Sequence, residues 1–171
     1  MLIFIIIAFG ILSRVAFHIP NFTPVLSLAL LGGAYLKGRQ AIWVPLVLMV
    51  ISDVMIGFHD SMVFTWGAIL GISLLGFWLK DHKHWVNVIL TSLIAAIFFF
   101  LVTNYGAFLS LYPHTTAGLK ECYTLAIPFF RSTLVSTMAY SLVLYVIFEK
   151  IANNIAVRET SVSATGGSTS G

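Results

Sequence analysis

Few side chains in this 171-residue sequence are equipped for chemistry: five histidines, one cysteine, six carboxylates and nine lysines or arginines. His18, His59 and His114 fall one each in three separate connections, the arrangement that three converging metal ligands require, although their spacing matches no ligand signature. His82 and His84 stand two apart and do not share a helix face. Cys122 has no partner for an internal disulfide. It either packs as a small apolar group or serves as a soft ligand for cobalt or copper.

Arg14, Asp53, Asn104 and Arg131 fall inside or at the ends of apolar stretches, where an ionisable group is costly unless it is paired or opens onto a watery cavity. Asp53 has two candidate partners, Arg14 and Arg131. Such a pair either clamps helices together or leaves one arginine to hold an anionic part of a ligand; Arg14 can also snorkel to headgroups. There is no Gly-x-Ser-x-Gly elbow, no His-Glu-x-x-His, no phosphate loop and no pair of carboxylates at a shared depth. Ser52 next to Asp53 points elsewhere on a helix and makes no dyad. The expectation is a protein that is not an enzyme and holds no cofactor.

The elements that position these residues follow from composition. The sequence is 59% apolar and 9% charged, with a mean hydropathy of +0.99, whereas a soluble domain carries about 25% charged residues. The solvent for its surface is therefore lipid. Nine basic residues scattered along such a chain make no stripe that tracks phosphates, which excludes nucleic acid as a partner.

A bilayer core of about 30 Å asks for roughly 20 apolar residues per helix. The sequence predicts an all-α fold, a bundle of six transmembrane helices over residues 1–158, with spans near Leu2–Phe17, Pro24–Leu36, Ala41–Gly57, Ser61–Leu79, Trp85–Leu111 and Tyr123–Ile151. The second is the shortest. The first lacks a basic segment before its apolar run, so it reads as a retained span rather than a cleaved signal. Residues 159–171, rich in Ser, Thr and Gly, read as a disordered tail or a sequence appended in cloning.

Lys37, Arg39, Lys80, Lys83, Lys150 and Arg158 fall on one side of this bundle, with Trp43, Trp78 and Trp85 beside them; positive residues are retained in the cytoplasm, which predicts both termini inside. The inner connections, Lys-Gly-Arg-Gln at 37–40 and Lys-Asp-His-Lys-His at 80–84, are plain solvated turns. The outer ones, at 18–24, 57–60 and 104–122, mix aromatics, histidines, prolines and hydroxyls, which is the material of a small-molecule pocket. Gly67 with Gly71, and Ala29 with Gly33, are small-residue pairs suited to close helix contacts. Pro128 is placed in the first turn or two of the last helix, where it is either tolerated or kinks the outer end.

Several of these stretches carry a resemblance. Asn-Phe-Thr-Pro at 21–24, Gly-Gly-Ala-Tyr at 32–35, Ser-Asp through Gly-Phe-His-Asp at 52–60, Thr-Asn-Tyr-Gly at 103–106 and the long run from Tyr112 to Phe130 resemble an uncharacterised family of small bacterial membrane proteins. That family is in turn similar to the substrate-binding S components of energy-coupling factor vitamin transporters. The resemblance implies a six-helix bundle in the bacterial inner membrane that takes a vitamin-like micronutrient from outside, beneath its first, third and fifth loops. It also implies an energy-coupling transmembrane protein with ATPases as a partner, reached through small residues on the first helix. Here those are Ala8, Gly10 and Ser13, without the Ala-x-x-x-Ala spacing.

The expected ligand contacts are Asn21, His59, Asn104, Tyr112, His114 and Cys122, supported by Arg14, Asp53 and Arg131. A corrinoid is one candidate ligand, because Cys122 or a histidine can reach cobalt. Two other readings stay open: an accessory subunit whose outer aromatics meet a partner protein, and a metal- or haem-handling protein built on His18, His59 and His114.

Overall fold

A computed structural model describes residues 2–16, 21–57 and 60–166. It consists of six helices: α1 (Leu2–Ala16), α2 (Val25–Tyr35), α3 (Gln40–Ile56), α4 (Met62–Lys80), α5 (Trp85–Leu111) and α6 (Thr116–Gly166). Among the described residues there is no strand. The all-α expectation and most helix boundaries agree with this architecture, and two features correct it.

The first concerns the number of spans. Three helices are long and apolar enough to cross a bilayer: α4, α5 and the Thr116–Asn154 part of α6. The others have 15, 11 and 17 residues. At 1.5 Å per residue, α2 reaches only about 16 Å, half of a bilayer core. Hydropathy made it look like a short span, yet every residue from Val25 to Ala34 is buried by protein. It forms the axis of the core, wrapped by α3, α4 and α6.

The second concerns the last helix. It begins at Thr116, not near Tyr123, because the Thr115 hydroxyl accepts the Gly118 N–H at 3.1 Å and the Thr115 carbonyl accepts Leu119 N–H at 3.0 Å. The polar Lys120-Glu121 pair that marked a loop by hydropathy is helical. The connection after α5 therefore shrinks to residues 112–115, and Pro128 stands well inside the helix.

Close packing depends on glycine where α2 crosses α4. A Cβ on Gly33 would lie 2.3 Å from the Ser73 carbonyl oxygen, and one on Gly76 would lie 2.1 Å from that of Leu30. Ala29 is fully buried on the same helix, as the small-residue pairing predicts. The pairing predicted on α4 holds at one of its two positions. Gly67 has nothing within 4 Å, while Gly71 receives the ring of Phe98 from α5, 2.6 Å from where a Cβ would stand; the close backbone approach to α2 is made at Gly76.

Where α2 meets α6 the contact is polar. Ser27 Oγ donates to the Thr137 carbonyl at 2.9 Å and accepts from Ser141 Oγ at 3.0 Å. Thr137 is fully buried and its Oγ1 has no partner among the described residues. An unpaired buried hydroxyl costs free energy that an isosteric methyl does not. Thr137→Val is therefore expected to leave thermal stability unchanged or raise it. A loss above about 1 kcal/mol in thermal unfolding would show that the hydroxyl has a partner after all.

Outward, the faces are apolar: Phe4, Val54, Val63, Leu74, Leu111 and Val143 are all largely exposed. Water-soluble monomers do not carry such continuous apolar surface, so lipid surrounds the helices. At one end Tyr35 donates to Glu149 Oε1 and stacks on Phe148, with the Lys83 ammonium 4.4 Å above its ring. His82 stacks on Trp78, and His84 caps α5 by accepting Val86 N–H, so both inner histidines serve the turn. The candidate site occupies the opposite end.

Candidate functional site

Arg14 sits in the last turn of α1, where the helix dipole favours a cation. Its Nη1 lies 2.8 Å from Asp53 Oδ1, 2.6 Å from Ser52 Oγ and 3.2 Å from Met49 Sδ, all three on α3. Asp53 is 1% exposed. Its Oδ2 accepts Trp66 Nε1–H at 2.8 Å, while Oδ1 meets the guanidinium as a charge contact rather than an aligned hydrogen bond. Of the two partners open to Asp53 in the sequence, Arg14 is the one used. Arg131 stands exposed on α6 and takes no part in this pair.

The pair ties α1, α3 and α4 together with one buried carboxylate. Trp66→Phe removes its only well-aligned donor among the described residues and is expected to cost about 1.5–3 kcal/mol, the range for a hydrogen bond to a charged group. Thermal unfolding of the variant checks this; an unchanged transition would mean that Arg14 alone satisfies Asp53.

Beside Arg14 lies a recess of about 260 Å³. Its other walls come from Asn21, from Thr65 on α4, and from two stretches that share one pattern. Phe99-Phe100-Leu-Val-Thr103 on α5 and Phe129-Phe130-Arg-Ser-Thr133 on α6 both read Phe-Phe-x-x-Thr, and all six of those Phe and Thr residues line the recess. In each, the threonine hydroxyl donates to the carbonyl of the first phenylalanine, at 2.8 Å for Thr103 and 3.0 Å for Thr133. Phe100 and Phe130 are in ring contact at 4.6 Å. Asn104 completes the lining, its amide donating to the Phe100 carbonyl at 2.7 Å.

Asn21 arrives with φ of +59°, a left-handed conformation that asparagine tolerates better than most residues. Its carbonyl accepts Ser136 Oγ at 3.3 Å, which fastens the entry of α2 to α6.

The structure thus brings together Arg14, Asn21 and Asn104, with Asp53 behind Arg14. Three other predicted contacts do not line the recess. Tyr112 caps the end of α5, its N–H bonded to the Phe108 carbonyl. His114 is exposed, its Nε2 3.0 Å from the Leu109 carbonyl and its ring against Phe108. Cys122 is buried, with Sγ 3.4 Å from the Asn104 carbonyl, so it braces a wall residue instead of facing the cavity. His18 and His59 lie outside the described residues, and among the described residues no group of three His, Cys, Asp or Glu gathers to hold a metal.

Sequence reasoning missed Thr65, Thr103, Thr133 and the four phenylalanines, which inside apolar helices read as lipid-facing or core. The repeated Phe-Phe-x-x-Thr was the available signal.

No curated protein and no solved structure is significantly similar to this chain. A family model matches residues 1–160, nearly its whole length. The chain with this recess belongs to that family, a family of unknown function (DUF6580).

Proposed function

We propose that this is a membrane-embedded small-molecule binding or uptake protein of the bacterial inner membrane, similar in architecture to a vitamin-transporter S component. In this reading both termini are cytoplasmic: α1, α3, α4, α5 and α6 cross the bilayer, and α2 carries the chain back through the protein interior between α1 and α3, so that the number of crossings is even. The observation that carries it is the recess: four phenylalanines set among threonine, asparagine and arginine side chains, at the end of the bundle remote from the lysine-rich turns, combine the aromatic and polar groups that a small-molecule site uses. The exposed apolar faces of α1 and α3, from Phe4 to Leu12 and from Trp43 to Ile56, support lipid contact for these shorter helices. Tryptophans 43, 78 and 85, half exposed beside the basic turns, support that end as the cytoplasmic interface.

The dimensions favour a compound of one or two rings over a corrinoid. Small pockets for drug-sized ligands start at about 300 Å³, and this one is at or below that floor. Docking on an ATPase module through small residues of α1 finds little support, since Gly10 and Ser13 are buried within the bundle and only Ala8 faces outward. The reading therefore favours a protein that acts without that module.

Native mass spectrometry of gently purified protein, with thermal-shift screening of vitamins and their ring fragments, tests the proposal. A retained compound that disappears in Phe100→Trp, which fills the recess, is the expected result. Absence of any retained or stabilising compound, together with copurification of a stoichiometric protein partner, would favour an accessory subunit.

A further inference from the structure

The five helices around α2 do not close into a ring. Going round, α1 packs on α3, α3 on α4, α4 on α5 and α5 on α6, but among the described residues no Cα of α1 comes within 8 Å of α6. The recess lies across this break. Arg14 stands on its α1 side, and Phe129, Phe130 and Thr133 stand on its α6 side. Phe129 belongs to two surfaces at once: it lines the recess, and it is 47% exposed on a helix whose Leu125 and Ile127 are exposed as well.

Resting on the reading of the recess as a binding site, we infer that it fills from the membrane: its ligand is a ring amphiphile dissolved in the outer leaflet, which enters sideways between α1 and α6. Depth supports this route as much as direction does. At 1.5 Å per residue, Phe99 and Thr103 lie about 21–27 Å along α5 from Trp85, whose half-exposed ring stands beside the basic turn. A hydrocarbon core is about 30 Å thick, so the recess sits under its outer boundary and not among the polar connections. The phenylalanines take the apolar body of the ligand. Among the described residues Arg14 meets protein through Nη1 alone. Its remaining N–H groups can only donate, so the polar end that reaches them carries an oxygen acceptor such as a carbonyl or carboxylate. A volume of about 260 Å³ admits one or two rings and has no room for the two chains of a phospholipid.

The route can be timed with two neutral thiol reagents of similar reach: N-phenylmaleimide, which partitions into bilayers, and N-(2-hydroxyethyl)maleimide, which stays in water. Cys122→Ala removes the one native thiol. In that background the full-length protein, reconstituted in liposomes, carries either Thr133→Cys in the recess or His114→Cys in the exposed connection after α5. Relative to His114→Cys, Thr133→Cys is expected to favour the phenyl reagent by about tenfold or more. Adding Phe129→Trp, which thickens the side chain at the seam, is expected to slow that reaction and leave the one at His114→Cys unchanged. Thermal midpoints against Cys122→Ala alone are the folding control, and Thr103→Cys on the facing wall replaces Thr133→Cys if the latter loses its transition. Equal preference at both positions, or indifference to Phe129→Trp, would mean entry from water and overturn the inference while leaving the recess as a site. Should neither reagent modify the recess thiol in folded protein, although both modify it after denaturation, the recess is sealed and the binding-site reading falls with the inference.

Discussion

Arg14→Met is expected to destabilise the protein by about 3–5 kcal/mol, because it strands the Asp53 carboxylate in the bundle. Asp53 is 1% exposed and would keep only the Trp66 N–H, too little to replace a guanidinium at 2.8 Å. The reverse change is milder. Asp53→Asn leaves Arg14 without its counter-charge, but that side chain is 18% exposed at the edge of the recess, where water can solvate it, and asparagine still offers Trp66 an acceptor. The double variant Arg14→Met/Asp53→Asn is expected to recover most of what Arg14→Met loses, since no charge is then buried. Thermal unfolding of the three variants in one detergent decides it. Equal losses for the two single variants that simply add in the double would refute a buried pair with a solvated arm.

Gly76→Ala is expected to be nearly as damaging, at or above the 1–3 kcal/mol usual for overpacking. Its Cβ would lie 2.1 Å from the Leu30 carbonyl oxygen and 2.8 Å from the Gly33 Cα. Those are backbone atoms, so no rotamer change relieves the contact, and α2 must move away from α4. Gly33→Ala meets the Ser73 carbonyl at 2.3 Å and should behave alike. Gly67→Ala, on the same helix with nothing within 4 Å, is the control and is expected to be neutral or slightly stabilising, because alanine is the better helix former. The fraction of monodisperse protein after extraction and its thermal midpoint give the comparison. If Gly67→Ala is as harmful as Gly76→Ala, the loss is not specific to the α2–α4 crossing, and the packing argument fails.

The glycines show how far the sequence could be read. Small-x-x-x-small spacing found Ala29 and Gly33 on the partner helix correctly but placed the α4 contact at Gly67 and Gly71, nine and five residues before the Gly76 that meets α2. Spacing reports that a close approach is possible on some face. The rotation of α4 about its axis selects the face, and that depends on all its neighbours at once. The threonines and phenylalanines of the recess were overlooked for the same reason: on an apolar helix, a residue facing lipid and one facing a cavity have the same hydropathy. Arg14, Asn104 and Asp53 stood out because polar atoms at membrane depth need a partner or a cavity wherever the helix turns, and Asn21 because it falls in the mixed connection at 18–24.

The amino-acid order alone determined that lipid is the solvent, that helices form between about the same residues as observed, and that Asp53 needs a cation. Those conclusions rest on local composition and the cost of desolvating charge. Tertiary structure decided that α2 is an interior axis shielded from lipid, that Thr115 caps the start of α6, that Arg14 and not Arg131 answers Asp53, and that Cys122 supports a wall it does not enter. Each of these is a choice among contacts with similar local cost, and only the simultaneous packing of all six helices separates them.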